Sequence, residues 1–222
     1  SKPLNYQDFV KSFPIILWTD PFGRTLRFIN LEFVTPNMCE PIVYLYNNSN
    51  LNVKVTLGDK VKTSYTWPQY NSGWNLTVYP GSRIFNNMDG KLYPYLFWEG
   101  SSYYLPIIEK GTVMRKVEVE SYFDKSLTQL GLIESEIRDF KDAWLPKFKN
   151  YPYYQIYFYD QKVIDKIAPL NVDPQPQTSI RVLMDYRGLN REIEFEPQVL
   201  KGQIPTRNGF TLVEWGGFGR PY

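Results

Sequence analysis

The chain has no histidine and a single cysteine, Cys39, among its 222 residues. Without histidine there is no side chain whose unperturbed titration falls between pH 5 and 8. A Ser-His-Asp or Cys-His relay cannot be built, and the usual His-bearing zinc or iron site is excluded. One thiol rules out an internal disulfide and a four-thiolate metal site, although it does not fix the compartment. With neither His nor a second thiol beside it, Cys39 reads as a buried or incidental thiol rather than a nucleophile. No apolar run approaches the roughly 20 residues of a membrane-spanning helix, so no membrane span is expected. A basic excess is also missing, with 25 Lys and Arg against 23 Asp and Glu. Binding to a phosphate backbone draws on such an excess, so nucleic acid is not an expected partner. Asp160, Asp165, Asp173 and Asp185 do not follow the spacing of a calcium loop, and no metal or cofactor is expected.

What is present is aromatic: 18 Tyr, 14 Phe and 6 Trp, with 17 Pro and 14 Gly. Aromatic and β-branched residues form strands, and Pro and Gly punctuate them. The expectation is an α+β protein, with antiparallel β-sandwich-like sheets and an inserted αα-hairpin. The length suits one large domain or two small ones. The opening Ser1-Lys2-Pro3, without methionine, reads as a processed product or a fragment. Two sequons, Asn47-Asn48-Ser49 and Asn75-Leu76-Thr77, are short enough to arise by chance.

Along the chain, Ile15 to Trp18 and Leu26 to Phe33 flank Asp20-Pro21-Phe22-Gly23 and predict a hairpin. A bulge between Phe28 and Leu31 would reconcile its alternation. Strands are predicted at 42–46, 51–57, 61–67, 74–79, 83–85 and 93–98, with turn signals between them. The period then becomes helical. Ser121-x-x-Asp124 resembles a capping box, with Phe123, Leu127 and Leu130 in phase and Gly131 at the C′ position. Ile133, Ile137, Phe140 and Trp144 form a second stripe that Pro146 ends. The remaining face of that helix, Glu136, Arg138, Asp139, Lys141 and Asp142, is expected to be solvated. Strands resume at 153–159, a Pro-rich loop covers 169–176, and further strands lie at 179–186 and 210–215. This gives an N-terminal hairpin or arm over 1–38 and one β-rich domain over 39–222, with two helices at about 121–148.

Pro41-Ile42-Val43-Tyr44-Leu45-Tyr46 is followed in order by Trp67-Pro68-Gln69-Tyr70 with Gly73-Trp74, Tyr93 through Gly100, Leu130-Gly131-Leu132, Trp144-Leu145-Pro146-Lys147 and Gly209 through Gly217. Together these runs resemble a family of uncharacterised bacterial proteins that often carry signal peptides, the first being similar to that family's "KPVIYLYP" opening. The resemblance spans about residues 40–217. It departs at Glu40, where the family has Lys, and at Asn47, where it has Pro. It implies a secreted or cell-surface location and transfers no activity.

Two function classes follow. Glu99 and Glu214 stand in Trp-flanked, Gly-ended runs, Trp98-Glu99-Gly100 and Glu214-Trp215-Gly216-Gly217. Two carboxylates across an aromatic cleft are what glycoside hydrolysis requires. The competing reading is that each Glu ends a strand and bonds backbone amides or pairs with Arg181. Tyr103, Tyr104, Tyr153, Trp98 and Trp215, with Arg181, are candidates for an aromatic surface that binds protein or glycan, although sheet packing accounts for any single Tyr. The favoured expectation is a non-enzymatic, extracytoplasmic binding or assembly domain. Its arm would self-associate with a neighbouring subunit, by strand addition for example. A carboxylate-dependent glycan hydrolase using Glu99 and Glu214 is the alternative.

Overall fold

The computed structural model describes residues 13, 15–29, 37–59, 61–102, 106, 108, 110–200 and 204–220. The chain divides into two compact units, residues 1–36 and 37–222.

In the first unit, strands β1 (Ile15–Thr19) and β2 (Thr25–Ile29) form the predicted hairpin, in register from Ile15↔Ile29 to Thr19↔Thr25. The sequence of its turn explains its shape. Asp20 Oδ1 accepts the backbone N–H groups of Phe22 and Arg24, each at 2.9 Å, and Arg24 Nε donates to Oδ2 at 2.7 Å. The backbone amide of Arg24, first among these donors, holds the Asp20 carboxyl below the usual carboxylate range. Gly23 supplies the φ of +80° that closes the turn. The expected bulge and the continuation to Phe33 fall on residues 30–33, outside the described residues.

The second unit is α+β, and its described residues form three layers. The central layer is a sheet of seven strands. Their order is β10 (Thr112–Arg115), β11 (Tyr153–Phe158), β13 (Thr178–Leu189), β14 (Thr211–Gly219), β3 (Asn37–Tyr46), β9 (Leu96–Ser102) and β5 (Val61–Trp67). A second sheet runs β12 (Leu170–Asp173), β4 (Leu51–Leu57), β6 (Trp74–Tyr79), β7 (Arg83–Asn86) and β8 (Lys91–Tyr93). Among the described strands of this unit, β13 and β14 pair in parallel and the other pairs are antiparallel. Helices α1 (Val119–Gln129) and α2 (Glu134–Trp144) form the third layer, and a short helix, α3 (Gln161–Ile167), precedes β12.

The central sheet is buried on both faces, which is why Ile42 to Tyr46 reads as a continuous apolar run rather than an alternation. Val43 and Leu45 join Val53, Val55, Trp74 and Leu76 between the two sheets. Ile42 and Tyr44 point the other way, into a core with Phe123, Phe140, Trp144 and Trp215.

Two expectations about the helices and one about the Pro-rich loop are corrected. Helix α1 begins at Val119, after a 3-10 turn over Lys116–Glu118. Ser121 therefore lies inside the helix, its hydroxyl donating to the Glu118 carbonyl at 3.0 Å, and it is not the cap. The 3-10 turn before the helix is closed by Glu118, whose carboxylate accepts Arg115 N–H at 2.9 Å. The charged face of α2 is not wholly solvated, because Glu136 is only 1% exposed. The Pro-rich loop contains β12, paired with β4 from Leu170↔Leu57 to Asp173↔Lys54. Gly131 does close α1, at φ +95°.

Candidate functional site

The two candidate carboxylates lie in the same sheet and are not brought together. Along β9 the burial alternates strictly, with Leu96 and Trp98 turned toward the second sheet. Glu99 therefore points to the opposite, helix-side face together with Phe97. Glu214 lies on the face shared with Trp98, whose indole N–H donates to Glu214 Oε1 at 3.3 Å. A cleft bordered by both carboxyl groups, as glycoside hydrolysis needs, is not formed.

Glu214 is instead locked in a buried knot. It is 5% exposed and stands opposite Arg181 in the parallel β13–β14 register. Arg181 Nε donates to Glu214 Oε2 at 2.6 Å, Nη1 to Asp165 Oδ1 at 2.9 Å and Nη2 to the Ala168 carbonyl at 2.6 Å. The guanidinium thus ties the central sheet to α3. Arg181, Trp98 and Trp215 are all buried, so none presents a surface to a ligand. Trp215 packs its ring 5.4 Å from that of Phe140. Tyr153 is half-buried at the start of β11, and Tyr103 and Tyr104 lie outside the described residues.

Two further knots have the same logic. Arg207 donates from Nη1 to Glu136 Oε1 at 2.8 Å and from Nη2 to Oε2 at 2.6 Å, and it also reaches the Gly131 carbonyl at 2.7 Å. Tyr46 adds a hydroxyl to Glu136 Oε1 at 2.8 Å, and the Ile133 amide donates to Oε2 at 3.0 Å. Burial, then the Glu136 charge, pushes the Tyr46 phenol up. The third knot joins Asp185 to Arg220 at 2.8–3.0 Å and to the Tyr159 hydroxyl at 2.7 Å. Burial raises the Asp185 carboxyl to about 6 against the opposing pull of Arg220. Nothing in the spacing of Asp185, Tyr159 and Arg220 announced this group. Nor did the helical period single out Glu136, which stands among Glu134, Asp139 and Asp142 in the same helix.

The accessible aromatic surface lies elsewhere, at the β5 end of the central sheet. Tyr65 is 54% exposed and meets Phe97 edge-on at 5.8 Å. Trp67 contacts Tyr93 at 4.7 Å and Tyr95 at 5.5 Å, and Tyr95 in turn meets Tyr44 at 5.9 Å. Next to these rings, a groove of about 420 Å³ follows the outer edge of β5 from Thr63 to Thr66 and is closed by Gln69, Tyr70 and Asn71. Its far wall is fixed. Trp74 Nε1 donates to the Pro68 carbonyl at 2.9 Å, the Tyr70 hydroxyl accepts Leu57 N–H at 2.9 Å, and the Tyr70 amide donates to Thr66 Oγ1 at 2.9 Å. The Trp67-Pro68-Gln69-Tyr70 run with Gly73-Trp74 thus makes a pinned corner. A second groove of about 610 Å³ separates β10 from the 192–197 segment and is bordered by Glu192 and Glu194.

Among the described residues, no three potential metal ligands cluster, and no helix is long and apolar enough to cross a membrane. Fold and site together define an α+β protein of two stacked sheets and a helical layer, with Glu136, Asp185 and Glu214 each paired internally with an arginine and aromatics at one sheet edge. No protein-family model, curated protein or solved structure matches the chain.

Proposed function

We propose that the chain is a non-enzymatic, extracytoplasmic binding and assembly domain that associates with a second copy through the hairpin β1–β2. The observation that carries this reading is the hairpin's uncovered apolar face. Ile16, Trp18, Leu26 and Phe28 share one face, because Ile16 opposes Phe28 and Trp18 opposes Leu26. Trp18 is 49%, Leu26 45% and Phe28 52% exposed. The other face is mixed: Thr19, Thr25 and Arg27 share it with Ile15 and Leu17, both of which are exposed. A two-stranded hairpin is marginal in water by itself, and contiguous apolar surface of this kind marks an association site. Trp18, Leu26 and Phe28 are about half exposed, so covering the rest of each contributes roughly 1 kcal/mol. The same face on two copies can pack against itself around a two-fold axis.

The fate of the carboxylates supports a non-catalytic role: Glu214, Glu136 and Asp185 are each saturated by an arginine and further donors. The secreted or surface location rests on the resemblance over residues 40–217. The double variant Trp18→Ser, Phe28→Ser tests the reading. It is expected to sediment as a monomer at concentrations where the unaltered chain associates, and unchanged association would remove the arm from the account.

A further inference from the structure

A second surface, independent of the arm, has the chemistry of a ligand site. We propose that the groove along the outer edge of β5 binds a neutral saccharide.

The argument begins with what lines the groove. Its lining residues are Thr63, Ser64 and Thr66 with hydroxyls, Gln69 and Asn71 with primary amides, and Tyr65 and Tyr70 with rings, and no charged residue is among the described residues of this lining. Hydroxyls and primary amides each both donate and accept, which is the complement of a sugar hydroxyl that does the same. A phosphate, a carboxylate or an ammonium ligand would find no counter-charge. The half-exposed Tyr65 supplies a flat amphipathic surface at little entropic cost, as the apolar face of a pyranose ring requires. The volume of about 420 Å³ lies within the roughly 300–1,000 Å³ of small-molecule sites. The wall is held in place before a ligand arrives, through the indole of Trp74 and the hydroxyl of Tyr70, so binding need not order it.

The alternative occupant of a sheet edge is an extended peptide adding a strand. The geometry of β5 opposes it. The β5–β9 register shifts between Thr63 and Tyr65, placing an extra residue, Ser64, in the edge strand. A bulge breaks the straight row of amides and carbonyls that an incoming strand must match, and it is a common device for blocking such pairing. The 69–71 segment also stands across the edge, as the opposite wall of the groove. A saccharide needs no continuous ladder.

The test uses the full chain, labelled with ¹⁵N, and a panel of neutral hexasaccharides (β- and α-linked glucans, a mannan, a galactan) beside a sulfated oligosaccharide and an extended octapeptide. The expected result is that at least one neutral hexasaccharide shifts the amides of residues 63–71. Its affinity should fall more than tenfold in Tyr65→Ala and in Gln69→Ala. Both residues are exposed, and retained dispersion elsewhere in the spectrum confirms that the variants fold. The proposal is overturned if no neutral sugar shifts these amides at 10 mM, if only the sulfated sugar or the peptide does, or if the bound sugar is indifferent to both substitutions. None of these outcomes bears on association through the hairpin, which is read from mass.

Discussion

Arg181 and Glu214 face each other across the parallel β13–β14 pair, in a site with almost no access to water. Taking two charges out of water costs several kcal/mol each, which their attraction offsets only while every lone pair and N–H is used. Here Trp98, Asp165 and the Ala168 carbonyl complete the set. Removing one partner leaves a buried charge, so Glu214→Leu is expected to destabilise the fold by about 3–5 kcal/mol, read as a lower urea midpoint. Replacing Arg181 by Met in the same chain should recover part of that loss. A stable single variant would show that the pair is solvated. Asp185 gives a second residue-level expectation. Its folded pKa, raised to about 6 by burial, lies above the model-peptide value near 3.9. The folded state therefore holds the proton more tightly than the unfolded chain does. This contribution to stability is fully present below the unfolded pKa and is lost as pH rises through about 6. Urea midpoints compared between the unaltered chain and Asp185→Asn should move in favour of the unaltered chain as pH falls from 8 to 5. A gap that is flat or moves the other way contradicts the raised pKa.

At the scale of elements, helix α2 shows how much of the fold is legible in sequence and where legibility stops. Its stripe is read correctly at Phe140 and Trp144, both buried against Trp215 or its neighbours. Phe140→Ala should cost about 3–5 kcal/mol by leaving a cavity in a packed core, measured by chemical unfolding. Ile133, in the same phase, precedes the helix and is 45% exposed. Glu136 breaks the polar face because Arg207, 71 residues away, reaches it, and periodicity carries no information about such a partner. Strands β4, β5 and β6 keep the bounds their alternation and turn residues suggest. Strand β12 was hidden because Pro169 and Pro174 flank four residues that form a strand only by pairing with β4. The carboxylate pair failed for a related reason. Trp-Glu-Gly and Glu-Trp-Gly are similar strings, but side-chain direction depends on each residue's phase in its strand. The phases of Glu99 and Glu214 are opposite.

On the scale of the whole molecule, the second unit is self-sufficient: two cores, one on each face of the central sheet, and three internal arginine–carboxylate knots. The first unit is the reverse, a hairpin with exposed apolar residues on both faces. On the proposed function, the hairpin is the part that associates and the second unit is the part that folds around its own cores. It also makes oligomeric state the quantity on which the account turns. The most direct measurement is the molar mass of the unaltered chain in solution, by light scattering over a hundredfold dilution series. The account predicts a mass that approaches twice the 26.2 kDa of the chain at the concentrated end and falls toward the monomer on dilution. A mass of 26.2 kDa at every concentration would contradict association through the hairpin.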